Sequence, residues 1–186
     1  MAKEKLSKDT WLAAGFQSLA DSGPTSVQIN LLSQKLGATK GSFYWHFKDI
    51  SEYKSAMLEL WRTKVASDVI DNINAQQTLE QQLDALFADA TRPAPEEYGG
   101  KKIEPAMRAW ALSDQDVGKA LADLDTLRLL FLKSLLDGWG LDGKVLSELI
   151  YGAYIGLDDL QSKGRTNSSG ALTALKQMIL AATETK

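Results

Sequence analysis

The chain has 186 residues, of which 44% are hydrophobic and 24% charged, with a net charge of −3, one histidine and no cysteine. This composition suits a globular protein of one domain, or of a small domain joined to a larger one, and it excludes disulfides, thiol redox chemistry and thiolate metal sites. The opening MAKEKLSKDT lacks the apolar stretch of a signal peptide, and no run approaches the roughly 20 apolar residues of a membrane span, so a soluble cytoplasmic protein with no membrane partner, no metal and no cofactor is expected.

Helix-period segments separated by turn signals run the length of the chain, and no alternating strand stands out, so the expected fold is all-α. The first helix is predicted over about 8–22, with Ser7 as N-cap, Gly23 as stop and an inward stripe of Leu12, Phe16 and Leu19. The second runs from about 28 to 36 with Leu32 and Leu36 inward, started by Ser26 or Gln28. Gly37 supplies a tight turn, and Thr39 caps a short third helix over about 40–47. Asp49 and Glu52 form a D-x-x-E cap that opens a long fourth helix over about 50–72, with Tyr53, Met57, Trp61, Val65 and Val69 at helical spacing. Thr78 and Gln81 form another such box for a helix ending near 91. The run RPAPEEYGG (92–100) is the clearest loop. A helix over about 103–112 follows, then one capped by Ser113 that ends near 138, and GWGLDG (138–143) breaks the chain. The last two helices are expected over about 145–160 and 170–184, separated by Gly164.

Charge is unevenly spread. Up to Ala56 there are 7 lysines and 5 acidic residues, a balance of +2, and the remainder carries −5. That is the sign expected for a DNA-binding head on an acidic body. Two short helices joined by a glycine turn suggest a helix-turn-helix. On a helical wheel Phe43 and Phe47 share one side, while Gly41, Ser42 and Trp45 point roughly the other way and Tyr44 and His46 lie on the flanks. A helix in the major groove uses such an arrangement: an exposed face for base edges, flanks for phosphates, and cations such as Lys40 and Lys48 at the ends. Thr39 and the free N–H groups of the helix start can also receive a phosphate. Periodicity alone leaves a second reading open, in which the rings simply pack in a core.

The stretch LLSQKLGATKGSFYWHFKD resembles the N-terminal motif of the TetR (tetracycline-repressor) family of bacterial regulators, most strongly over about 8–60. The resemblance implies a three-helix helix-turn-helix DNA-binding domain over residues 1–52, followed by a helical-bundle regulatory domain over 53–186 that binds a ligand and dimerises. It implies a homodimeric repressor of a double-stranded, pseudo-palindromic operator, released by a small-molecule effector of unknown identity. Thr39, Lys40, Gly41, Ser42 and Trp45 would face DNA, and Tyr44, His46 and Lys48 would contact phosphates. Gln28 stands where the family often has threonine, and Ile50 where it often has lysine; Lys48 and Lys54 lie nearby to replace that lost cation.

The resemblance also places an effector pocket among the middle helices, with Trp61, Leu83, Phe87, Met107, Trp110, Phe131 and Tyr151 as candidate walls and Arg108 as a polar anchor. Plain core packing is the competing reading of each. The last two helices would form the dimer, with Leu149, Gly152, Tyr154, Gly156, Leu172, Leu175 and Ile179 as candidate contacts. An adaptor whose body recognises a protein partner, with no small-molecule effector, is the alternative. An enzyme is not expected. There is no cysteine nucleophile, and adjacent Asp158 and Asp159 diverge by about 100° on a helix instead of converging as a pair.

Overall fold

The computed structural model describes residues 6–92, 94–166 and 168–184, with the side chains of 64–71, 168, 183 and 184 left aside. The expectations placed on Val65 and Val69 therefore lie outside the described residues. The protein is all-α, with no strand among the described residues. Its α-helices are α1 (Lys8–Ser22), α2 (Ile29–Lys35), α3 (Lys40–Tyr44), α4 (Ile50–Asn74), α5 (Leu79–Thr91), α6 (Ile103–Ala111), α7 (Gln115–Gly138), α8 (Gly143–Ser162) and α9 (Ser168–Glu184).

The helix starts follow local chemistry. Ser7 Oγ accepts from the Thr10 N–H, Thr39 Oγ1 from the Ser42 N–H and Thr78 Oγ1 from the Gln81 N–H, each satisfying a donor that the first turn leaves free. Two starts differ from expectation. Asp114, not Ser113, caps α7: its Oδ1 accepts from the Val117 N–H at 3.4 Å, while the Ser113 hydroxyl turns back to the Trp110 carbonyl at 3.2 Å. Asp142 caps α8, accepting from the Val145 N–H at 3.2 Å, so that helix begins two residues earlier than its apolar pattern does. The loop at 92–100 contains a 3₁₀ turn, Glu96–Tyr98, and a second follows at Gly100–Lys102.

Two compact units result. The first comprises residues 1–62 with 93–120, the second 63–92 with 121–186. These packing units cut across the expected division at 52/53. The cause is visible at α1: the Tyr98 ring meets Phe16 edge-on at 5.8 Å, and α6 packs on the same helix, so residues after the loop join the N-terminal helices. The core of the first unit holds Trp11, Phe16, Leu19, Leu32, Phe43, Phe47, Tyr53 and Met57, all essentially removed from water. Lys54 sits over the Trp110 ring and pairs with Asp114 at 3.2 Å, which ties α4 to the α6–α7 turn.

The second unit packs α5, α7, α8 and α9 around Leu79, Leu83, Phe87, Leu132, Leu136, Ile150, Tyr151, Leu172 and Ile179. Each helix contributes an apolar stripe at 3–4-residue spacing, the pattern that buries one face of each helix. Lys176 joins α9 to α5 through Asp84 at 2.6 Å, with Glu80 at 3.6 Å.

Candidate nucleic-acid interface

The turn between α2 and α3 is built by hydrogen bonds that only a left-handed residue permits. The Ala38 N–H reaches the Ser33 carbonyl at 2.8 Å and the Gly37 N–H reaches Gln34 at 3.0 Å. This double closure is a Schellman motif, and Gly37 adopts φ +57° to make it. Helix α3 follows after this turn and packs with α2, giving a helix-turn-helix.

Helix α3 is one and a half turns long, shorter than the expected 40–47. Its hydrogen bonding nevertheless continues, with the Phe47 N–H on the Phe43 carbonyl at 3.1 Å, so Phe43 and Phe47 remain on one side. Both are buried. Phe43 is ringed by Trp11, Phe47 and Tyr53, each with its centroid at 5.3 Å. The Tyr53 hydroxyl donates to the Trp11 carbonyl at 2.7 Å, and burial pushes its pKa above the ordinary tyrosine range, so it stays a donor. This aromatic block is the seat on which α3 rests.

The opposite side faces out. Trp45 is 71% exposed and Tyr44 54% exposed, the Tyr44 ring resting edge-on against Phe43 at 5.6 Å. Thr39, Lys40, Gly41 and Lys48 are exposed, and Ser42 is half-buried. A Cβ built on Gly41 would meet only the Thr39 hydroxyl, at 3.7 Å. The fold itself therefore gives no steric reason for glycine there.

Three side chains depart from the sequence-based expectation. Gln28 precedes α2 but makes no side-chain cap; its Nε2 donates to the Thr25 carbonyl at 2.8 Å, because an amide at this position reaches back into the preceding turn more readily than over the helix start. Lys54 does not replace a cation at Ile50, since its ammonium is held by Asp114. His46 is only partly exposed, and its Nε2 lies 2.7 Å from the Leu6 carbonyl. A carbonyl only accepts, so Nε2 carries the hydrogen and is already committed. The remaining Nδ1 can donate to a phosphate only in the imidazolium form. Sequence reasoning also missed Leu31, 46% exposed on α2, which breaks the apolar-inward pattern of that helix.

The expected pocket residues are divided between the two units. Trp61, Met107, Arg108 and Trp110 belong to the first unit, and Leu83, Phe87, Phe131 and Tyr151 to the second. Leu83, Met107 and Trp110 are fully buried packing residues. Arg108 is engaged by Glu104 at 3.0 Å. Tyr151 stands out, because its hydroxyl donates to Asp125 at 2.5 Å and accepts from Arg128 at 3.1 Å beside the stacked Tyr154 ring.

The expected dimer residues also divide. Leu149, Gly152 and Gly156 are exposed. Leu172 and Ile179, 3% and 2% exposed, belong to the core of their own unit, so they offer no surface to a second copy. Leu175 and Tyr154 pack against that core and are half-buried.

Comparison with known proteins matches this architecture. No protein-family model matches the chain, and no curated protein matches it by sequence. Solved structures do. A transcriptional regulator from Rhodococcus sp. Rha1 superposes with a TM-score of 0.78 at 17% identity, over 95% of this chain and 97% of that one. A TetR transcriptional regulator from Legionella pneumophila gives 0.68 at 14% identity, over 98% and 99%. The fatty acid degradation regulator FadR from Bacillus halodurans gives 0.68 at 15% identity, over 96% of each. The chain is thus an all-α helix-turn-helix protein. More narrowly, it has the fold of the TetR-type transcriptional regulators.

Proposed function

We propose that the protein is a DNA-binding transcriptional regulator, with residues 1–52 as its DNA-contacting head and 53–186 as its regulatory part. The observation that carries this reading is the two-sidedness of α3: Phe43 and Phe47 anchor it, while Trp45, Tyr44 and an unhindered Gly41 face outward between Lys40 and Lys48. A protein has little reason to expose two large rings beside a glycine unless a partner surface comes close. Base edges and thymine methyl groups in the major groove supply such a surface, and phosphates supply the partners for the lysines. Thr39, Lys40, Gly41, Ser42 and Trp45 are assigned to the base-facing side, and Tyr44 and Lys48 to the phosphate walls.

The test is selection of duplexes from a random library, followed by affinity measurements on the enriched sequence. Tyr44→Ala and Lys48→Ala are each expected to weaken binding severalfold at moderate salt while the protein stays folded, as a cooperative melting curve would establish. Lys48→Ala should also flatten the slope of log K against log salt by about 0.9, the contribution of one phosphate. Unchanged affinity in both variants would defeat the assignment.

The protein acts as a homodimer in this reading. Val145, Leu149, Gly152, Gly156 and Leu160 form one exposed stripe on α8, at spacings of 3 and 4 residues. A Cβ at Gly152 or Gly156 would meet nothing within 4 Å. Glycine inside an exposed helix costs about 1 kcal/mol relative to alanine, so two unforced glycines on an apolar stripe favour a second helix at close range. Met178, 70% exposed on α9, takes the place expected of Leu172 and Ile179. The enriched operator should then be pseudo-palindromic, its half-sites one helical turn or a multiple apart. Leu149→Arg is expected to raise the dimer dissociation constant at least about tenfold, the usual threshold of a contributing interface residue, as read by analytical ultracentrifugation; a monomeric wild type at micromolar concentration would remove the dimer from the proposal.

A repressor released by a small molecule completes the reading. The Asp125–Tyr151–Arg128 cluster supports it, since ligand sites are apolar with a few convergent polar groups.

A further inference from the structure

We infer that Asp125, Tyr151 and Tyr154 form a cation cage occupied by the protein's own Arg128, and that an organic cation with an apolar body binds there by displacing that arginine. The inference rests on the small-molecule reading above and deepens it by naming the class of ligand.

The cage is made of two helix pairs. Asp125 and Arg128 stand three residues apart on α7, and Tyr151 and Tyr154 three apart on α8, so each pair shares one helix face. The two rings are within 20° of parallel, with centres 6.1 Å apart. The Arg128 guanidinium carbon lies 5.9 Å from the Tyr151 ring centre and 5.8 Å from that of Tyr154, inside the roughly 6 Å at which an aromatic ring attracts a cation. Arg128 also donates to the Tyr151 hydroxyl, which in turn donates to Asp125. One delocalised cation is thus held by two rings and, through a hydroxyl, by one carboxylate. Tyr151 is buried and the other three are half-buried.

As a fastener between helices the cluster achieves little. Leu132, Leu136 and Ile150 already pack α7 and α8 into one core, and in a partly buried ion cluster the loss of hydration offsets much of the attraction. What the arrangement does supply is a second place for Arg128. Burial pushes the carboxyl of Asp89, on α5, above the usual carboxylate range, and the nearby Arg92 and Arg128 draw it back. Arg128 therefore already acts on Asp89, and a displaced guanidinium has a carboxylate to turn to. The incoming cation gains what the arginine leaves. A quaternary ammonium has no N–H groups to strip of water, keeps the attraction of the rings and of Asp125, and brings carbon that a half-buried site can cover. The surroundings agree in sign. Residues 63–92 and 121–186 carry 13 acidic and 9 basic side chains, so this unit favours a cation over an anion.

The experiment is titration calorimetry on the full chain with benzyltrimethylammonium, and with benzenesulfonate as a probe of similar size and opposite charge. The cation is expected to bind saturably with one site per chain, and the sulfonate not to bind. Asp125→Asn should weaken the cation at least about tenfold, and Tyr154→Leu by about three- to thirtyfold. Arg128→Ala should move the other way and tighten it severalfold, because the resident competitor is gone. Arg165→Ala removes the same charge from the exposed turn after α8 and should leave the affinity within about twofold, since solvent screens it. Melting curves establish that each variant is folded, and should Arg128→Ala fail to fold, Arg128→Gln takes its place. Failure of the cation to bind either the wild type or the arginine variant would overturn the proposal. Equal tightening in Arg128→Ala and Arg165→Ala would overturn it too, as would preferred binding of benzenesulfonate that is lost in Arg128→Ala, which would make Arg128 an anchor for anions. Cation binding with the expected pattern that leaves the affinity for the selected duplex unchanged would defeat release by a small molecule and leave the cage standing.

Discussion

Gly15→Ala is expected to destabilise the protein by about 2–4 kcal/mol, although it adds a single methyl group to a helix. A Cβ on Gly15 would fall on the Tyr53 hydroxyl and within 2.8 Å of the Met57 sulfur and 2.9 Å of Tyr53 Cζ. Tyr53 cannot swing aside. Its ring packs at 4.9 Å from Phe47 and 5.3 Å from Phe43, and its hydroxyl is bonded to the Trp11 carbonyl. Overpacking of this kind costs about 1–3 kcal/mol, and a displaced Tyr53 hydroxyl loses its buried acceptor for about 1 kcal/mol more. For a chain of this size the melting temperature should fall by about 5–15 °C. The clash acts on the seat of α3, so DNA affinity should fall as well, even where the protein is still folded. Tyr53→Phe removes the atom that collides first. In the Gly15→Ala background it should therefore recover part of the lost stability, whereas alone it destabilises. A melting temperature of Gly15→Ala within 2 °C of wild type would show that α1 and α4 have room to separate.

Much of the head is legible in the sequence because its rules are local. Thr39 caps α3, Gly37 closes the turn, and the four-residue spacing of Phe43 and Phe47 selects the buried side; each involves residues a few positions apart. Contacts between distant positions leave no such trace. The Tyr53–Trp11 bond spans 42 residues and the His46–Leu6 bond spans 40, and neither has a pattern that periodicity can detect. Adjacent candidates are a second source of error. Ser113 and Asp114 are both good caps, and the choice depends on which side chain faces the first free N–H. The regulatory part suffers from a third. Leu172 and Ile179 read equally well as core or as dimer surface, because α9 carries apolar residues on more than one side, and only its packing against α5 and α8 decides. Pocket walls such as Leu83 and Met107 have the composition of a core, and the structure places them in one.

Gly41→Ala should move stability and function in opposite directions. Alanine is favoured over glycine in a helix by about 1 kcal/mol, because the unfolded glycine has more conformations to lose. At Gly41 nothing opposes that gain: the added Cβ would lie 3.7 Å from the Thr39 hydroxyl, an ordinary contact. The melting temperature of the variant should rise by about 2–4 °C. Its affinity for the selected operator should fall by about ten- to a hundredfold, equivalent to about 1.4–2.8 kcal/mol. The methyl group would stand between the helix backbone and the base edges, on the same face as Trp45, and would hold the whole recognition helix away. Loss of affinity through unfolding would carry a lower melting temperature, so the two measurements together isolate the interface. The same reasoning separates Gly41 from Gly152 and Gly156, where alanine should also raise the stability of the single chain but weaken self-association and leave the head's own contacts untouched. A Gly41→Ala protein that is more stable and binds its operator as tightly as wild type would mean that DNA does not approach this face of α3.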